Sequence, residues 1–212
     1  MENSKPRILA FAGSARRESL NKRLVHVAAT GARSAGAEVT EIDLRDYPMP
    51  IYDGDLEAEE GMPEKARELR QLMLEHHGFL IASPEYNGSI TALLKNLIDW
   101  TSRPVDGQDG LAPYRNKVVV LMSASPGSYG GLRGLVHTRA ILGNMGGILL
   151  PDQLAVGKAN ELFAADGGMV NQKLREAVEA LGHTLAATLA KLHGHKLYEE
   201  SAERRHDAGR LP

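Results

Sequence analysis

The sequence predicts an open parallel α/β sheet, and three observations carry that expectation. Short apolar runs alternate with longer amphipathic patterns along the chain. The run Lys117 to Met122 has a Val-Val-Val-Leu centre, as a central parallel strand covered on both faces requires. The segments that leave the first, third and fourth runs are rich in Gly, Ser and Pro, and in such sheets ligands sit beyond the carboxyl ends of the strands.

Arg7 to Ala12 reads as the first strand, apolar from Ile8 onward, and Leu20 to Ser34 as a helix with Leu20, Leu24, Val27 and Ala28 on one face. Glu38 to Leu44 is a second strand whose mixed polarity suits a sheet edge. Arg45 to Gly61 contains Pro48, Pro50 and Gly54 and is expected to lack regular structure. Pro63 to His76 follows as a helix with Ala66, Leu69, Leu72 and Met73 at helical spacing, and Gly78 leads into the strand Phe79 to Ser83. The clearest helix carries Ile90, Leu93, Leu94, Leu97 and Ile98, with Lys95, Asn96 and Asp99 on its other faces. Beyond the fourth strand, Leu132 to Leu142 reads as a helix and Gly147 to Leu150 as a fifth strand. Val170 to His193 reads as a closing helix with Leu174, Val178, Leu181, Leu185 and Leu192 facing the core. Five such strands, each followed by a helix or loop, call for right-handed crossovers.

With 212 residues and 42% hydrophobic content, a single domain over residues 1–193 is expected, followed by a polar tail, 194–212. A formal net charge of −2 gives no field for long nucleic acids. The absence of cysteine excludes disulfides, thiolate catalysis and cysteine-based metal sites, so redox work would need a bound cofactor. The first residues lack a signal-peptide core, and no run approaches the roughly 18 apolar residues of a membrane span; the chain reads as cytoplasmic. No metal is expected, because the pairs His76/His77 and His193/His195 lack further ligands at suitable spacing.

Three loops carry the chemistry. In the first, Gly13-Ser14-Ala15-Arg16-Arg17-Glu18-Ser19-Leu20-Asn21 takes the chain from a strand to a helix N-terminus, where unpaired N–H groups and the helix dipole suit a phosphate. Ser14, Ser19 and Asn21 add polar side chains and Arg16 a planar guanidinium, although Ser19 equally suits a helix cap. In the second, Ser83-Pro84-Glu85-Tyr86-Asn87-Gly88-Ser89 offers backbone groups and the Tyr86 ring to a planar heteroaromatic, or is a turn whose Ser89 caps the next helix. In the third, Ser123-Ala124-Ser125-Pro126-Gly127-Ser128-Tyr129-Gly130-Gly131 allows close approach to the backbone, or a flexible start to the next helix. Neither G-x-x-x-x-G-K-[ST] nor G-x-G-x-x-G follows the first or fourth strand.

Taken together, Gly13-Ser14-x-Arg16-x-x-Ser19-x-Asn21, Pro84-Glu85-Tyr86-Asn87-Gly88-Ser89 with Lys95-Asn96-x-Ile98-Asp99-Trp100, and Ser125-Pro126-Gly127 through Gly130-Gly131 resemble the NADPH-dependent FMN reductase family, which includes chromate, quinone and azo-dye reductases. The resemblance implies a flavodoxin-like three-layer fold with five parallel strands ordered 2-1-3-4-5. It implies FMN as cofactor, with its phosphate held by Ser14, Arg16, Ser19, the Leu20 backbone and Asn21. Pro84, Glu85, Tyr86, Asn87 and Gly88 would line the ring, largely through main chain, and Ser123 and Ser125 would contribute from the third loop. NADPH or NADH would supply electrons, and a quinone, chromate, azo compound or free flavin would accept them. No side chain is assigned as catalytic, since the cofactor does the chemistry. The resemblance further implies a homodimer or homotetramer, for which Trp100 is either an interface residue or a buried structural one. The loop Thr101 to Arg115 either borders the acceptor site or simply connects. A flavodoxin-type electron carrier is the alternative, disfavoured by Arg16 and the near-neutral charge; a cysteine-dependent phosphatase is excluded.

Overall fold

The strands β1 (Arg7–Ala12), β2 (Glu38–Ile42), β3 (Gly78–Ala82), β4 (Val118–Ala124) and β5 (Ile148–Val156) form one parallel sheet in the order β2-β1-β3-β4-β5. The computed structural model describes residues 5–164 and 168–193; the expected tail, 194–212, lies outside the described residues. The helices are α1 (Leu20–Ser34), α2 (Gly54–Glu60), α3 (Glu64–Glu75), α4 (Ala92–Thr101), α5 (Leu132–Asn144) and α6 (Gln172–His193).

Alternation along the strands divides the core in two. Ile8, Ala10, Leu80, Ala82, Val120 and Met122 face α1 and α6, whereas Leu9, Phe11, Phe79, Ile81, Val119 and Leu121 face α3, α4 and α5. The flavodoxin-like three-layer architecture is therefore as expected. It places the β1, β3 and β4 exits side by side at one end of the sheet. Within the first outer layer, α1 and α6 cross so closely that only glycine fits at the contact. A methyl on Gly31 would lie 2.0 Å from the Glu179 carbonyl oxygen, and one on Gly182 would lie 1.8 Å from that of Ala28.

Several expectations need correction. Residues 45–61 are not irregular throughout: Leu44–Asp46 forms a 3₁₀ turn, and Asp53 caps α2 by accepting from the Asp55 N–H. This segment is strapped to α4 through Pro50, whose carbonyl accepts from Asn96 Nδ2 at 2.9 Å and Trp100 Nε1 at 2.8 Å. Trp100 is fully buried, edge-on to Tyr52, and is thus structural. The fifth strand does not stop at Leu150. It runs through Pro151 with a register irregularity between Val119 and Leu121 of β4, tolerable because β5 is an edge strand and a bulge absorbs the missing N–H. The third predicted helix starts at Ala92 rather than Ile90, with Thr91 as its cap. Leu192, expected in the core, is exposed near the end of α6.

Candidate functional site

The first loop leaves β1 with Gly13 still in the sheet, its N–H donating to the Ala82 carbonyl at 2.9 Å. Ser19 caps α1, its hydroxyl accepting from the Lys22 N–H. The backbone N–H groups of Ser14, Leu20 and Asn21 find no acceptor among the described residues, which leaves a concentration of donors at the positive end of α1. Arg16 projects beside them, exposed, with no ion pair among the described residues. Unpaired amides beside an unpaired guanidinium fit a phosphate monoester.

The second loop closes on itself. Tyr86 and Ser89 exchange both backbone hydrogen bonds at 3.0 Å, and Asn87 and Gly88 at the tip have φ of 52° and 81°, the geometry of a type I′ turn. Tyr86 is half-exposed. The Glu85 carboxylate turns toward α5, where Oε2 accepts from the Arg133 N–H at 3.0 Å and the Gly134 N–H at 3.2 Å, while Oε1 pairs with the Arg133 guanidinium. Burial pushes the Glu85 carboxyl up, but the Arg133 guanidinium and the α5 amides outweigh it and hold the group below the ordinary carboxylate range. Because the cap residue of α5, Gly131, has no side chain to satisfy the helix N-terminus, Glu85 does so from another loop.

The third loop is tied to the first. Asn21 Nδ2 donates to the Ala124 carbonyl, and the Ala124 N–H donates back to Asn21 Oδ1, both at 2.9 Å. Ser123 is fully buried, and its hydroxyl faces Gly131 so closely that a methyl there would lie 1.9 Å from Oγ; that hydroxyl has no hydrogen-bond partner among the described residues.

The loops enclose a recess of about 120 Å³. Ser14, Arg16, Ser19, Leu20, Asn21, Pro84, Glu85, Tyr86 and Ser125 line it, joined by Ala124 and Pro126. Asn87, Gly88 and Ser123 do not line it. The recess has room for a phosphate and the carbons next to it, and is too small for a flavin ring. Thr91 was missed in the sequence: its hydroxyl donates to the Gly13 carbonyl at 2.8 Å and accepts from the Leu94 N–H at 3.1 Å. A threonine just before a strongly periodic helix is a cap signal, and Ser89 masked it; Ser89 Oγ instead meets His137 Nδ1 at 2.9 Å.

A larger groove of about 550 Å³ lies between α1, β2 and the start of α6, but its charged groups are paired: Lys22 with Asp43 at 2.6 Å and Glu41 with Arg33 at 2.6 Å, while His26 Nδ1 is hydrogen-bonded to Glu41 at 3.0 Å. The loop Thr101 to Arg115 is held to α3 by buried Arg70, which donates to the carbonyls of Thr101, Asp109 and Gly110. His76 is structural, with Nδ1 donating to the Leu72 carbonyl and Nε2 accepting from Thr40 Oγ1, while His77 Nδ1 accepts from the Arg7 N–H. Among the described residues no three His, Asp or Glu are grouped to hold a metal, and no helix is long and apolar enough to cross a membrane; His195 lies outside them.

The chain is similar to known proteins in both sequence and fold. An NADPH:quinone oxidoreductase of Arabidopsis thaliana is 31% identical over 198 residues, covering 89% of this chain and 94% of that protein. A 2-hydroxy-1,4-benzoquinone reductase of a Burkholderia species is 29% identical over 183 residues, covering 85% of this chain and 94% of that protein. Among solved structures, a flavoenzyme NAD(P)H:(acceptor) oxidoreductase from Paracoccus denitrificans superposes with a TM-score of 0.72 at 25% identity, covering 88% of this chain and 98% of that one. The family model described as NADPH-dependent FMN reductase matches residues 6–161, and with the three loops meeting at one end of the sheet, the chain belongs to that family of FMN-dependent NAD(P)H oxidoreductases.

Proposed function

We propose that this oxidoreductase passes electrons from NADPH or NADH, through FMN held at the three loops, to a quinone. The observation that carries the site is the cluster of unpaired Ser14, Leu20 and Asn21 amides beside Arg16 in a recess of phosphate size. Ser14, Arg16, Ser19, Leu20 and Asn21 would hold the FMN phosphate, with Asn21 acting by fixing the neighbouring loop. Pro84, Glu85, Tyr86, Asn87 and Gly88 would border the ring, and Ser123 and Ser125 would shape the third wall.

Bound FMN supplies a ring that accepts hydride from a reduced nicotinamide and returns electrons to an oxidised acceptor. The chain's own contribution is placement. The type I′ turn at Asn87-Gly88 fixes a rigid backbone edge, and the paired, ionised Glu85 has no proton to donate. Tyr86 and Tyr129, both exposed, give a planar acceptor such as a quinone flat surfaces to meet. Exposed Leu132 and Val136 on α5 support a homodimer or homotetramer. The proposed location is the cytoplasm, where reduced nicotinamides are available.

The test is an absorbance spectrum of protein reconstituted with FMN and freed of excess flavin, followed anaerobically as NADPH, then NADH, and finally a benzoquinone are added. Bleaching near about 450 nm by a nicotinamide and recovery with the quinone are expected. Retained flavin that neither donor reduces would favour an electron carrier, and failure to retain flavin would remove the site.

A further inference from the structure

The peptide between Gly13 and Ser14 is held at its carbonyl end, and its N–H end is unbonded among the described residues. Gly13 continues the sheet through its N–H, and there is no room for a side chain, since a methyl would lie 2.9 Å from Ser83 Oγ and 3.2 Å from Leu94 Cβ. Its carbonyl accepts from Thr91 Oγ1 at 2.8 Å, in a buried contact spanning 78 positions of the sequence. Thr91 is itself held, because the same oxygen caps α4 by accepting from the Leu94 N–H. In a trans peptide the C=O and the next N–H point in opposite directions within one plane. A carbonyl fixed toward α4 therefore sends the Ser14 N–H the other way, and Ser14 lines the recess with that N–H unbonded among the described residues.

We propose that Thr91 is a positioning residue of the phosphate site: by holding the Gly13 carbonyl against the N-terminus of α4, it aims the Ser14 N–H at the FMN phosphate. This rests on the reading of the first loop as the phosphate site. A carbonyl free to rotate would present a partial negative charge where the anion binds, so the hydroxyl both supplies a donor to the phosphate and removes a repulsion. Thr91 also lies two residues beyond Ser89, which closes the turn proposed to border the ring, so one hydroxyl joins the phosphate loop to the helix that anchors the ring loop.

The experiment compares FMN with riboflavin, which lacks the phosphate, by flavin fluorescence titration of the full apo chain. Thr91→Val keeps the branched shape and removes the hydroxyl, and Thr91→Ser keeps the hydroxyl. The expected result is a roughly tenfold loss of FMN affinity in Thr91→Val, unchanged riboflavin affinity, and FMN binding retained in Thr91→Ser. A merely structural role would weaken both ligands together, and that result, or undiminished FMN binding in Thr91→Val, overturns the inference. If the wild-type chain binds riboflavin as tightly as FMN, the phosphate-site reading falls first and takes this one with it. A preference for FMN that survives in Thr91→Val removes Thr91 alone. Should Thr91→Val not fold, the two flavin titrations are made on Thr91→Ala, where a loss confined to FMN is expected and an equal loss for both flavins, or none, overturns the inference; a Ser14 amide resonance that stays still when ¹⁵N-labelled wild-type apoprotein is titrated with inorganic phosphate overturns it independently.

Discussion

The side-chain amide of Asn21 forms a reciprocal pair with the backbone of Ala124, donating to its carbonyl and accepting from its N–H, each at 2.9 Å and across 103 positions of sequence. Asn21 thus fastens the loop that leaves β1 to the one that leaves β4, as one further rung of sheet would. Asn21→Leu leaves both Ala124 groups buried and unpaired, and is expected to cost about 2 to 4 kcal/mol of folding stability, measured by urea unfolding of the apoprotein. An Asn21→Leu chain as stable as wild type would show that water or a shifted loop satisfies Ala124.

The Glu85–Arg133 contact joins the loop that leaves β3, proposed to border the flavin ring, to α5 in the same way. Glu85→Ala removes the acceptor of the Arg133 and Gly134 amides, so the turn at Asn87-Gly88 loses its tether to α5. The expected outcome is weaker binding of FMN and riboflavin alike, because the ring rather than the phosphate is affected. Destabilisation of about 1 kcal/mol should accompany it, the scale of a lost helix cap. Since the Glu85 carboxyl titrates lower in the folded chain than unfolded, its contribution is present above the ordinary carboxylate range and lost as pH falls through the folded value. The stability gap between wild type and Glu85→Gln should therefore narrow under acid.

Arg16 should behave differently. Arg16→Ala is expected to weaken FMN binding by about 1.5 to 3 kcal/mol, the scale of a hydrogen bond to a charged group, with riboflavin affinity and folding stability unchanged. An equal loss for both flavins would remove Arg16 from the phosphate site.

The β-strand periods and the Gly/Ser loops made the sheet, and the three loops that meet at one end of it, legible in the sequence, because those signals are local. What stayed hidden depends on partners far along the chain. Glu85 looked like a ring contact, and only the missing cap at Gly131, 46 positions on, explains where its carboxylate goes. The helix α2 buries none of its residues; it is held through Glu57, which accepts from Tyr52 OH and Arg103 Nε. A segment with two prolines and no apolar period gives no local sign of such a helix. The first-loop motif proposes Asn21 for the phosphate site, yet its bonding to Ala124 depends on a partner 103 positions away that the motif does not contain.

The crossing of α1 and α6 makes its own prediction. The methyl of Gly182→Ala would lie 1.8 Å from the Ala28 carbonyl oxygen, and that of Gly31→Ala 2.0 Å from the Glu179 carbonyl oxygen; neither obstacle is a flexible side-chain end. Either substitution must push the helices apart, at an expected cost of about 3 kcal/mol or more, despite the better helix propensity of alanine. Urea unfolding midpoints for the two single variants and the double variant check this. Because one displacement relieves both clashes, the double variant should lose less than the sum of the singles.

Lys117 gives a prediction in the alkaline range. Its ammonium group donates to the carbonyls of Leu74 and His76, closing the C-terminal end of α3. Burial pushes its amine down to about 8, and the nearby charge of Arg7 adds to that effect. The unfolded lysine keeps its proton up to the ordinary lysine value of 10.5, so between those two values the unfolded chain binds more protons than the folded one. Stability contributed at this site therefore rises with pH across that window, the opposite of an ion-paired lysine, and below it the full cost of burying the charge remains. Urea midpoints of wild type and Lys117→Met measured between about pH 7 and pH 10 separate this effect from every other titration, since the two chains share the remaining groups. Wild type should gain on Lys117→Met as the pH rises; parallel curves would mean that the carbonyls hold the ammonium charged in the folded chain.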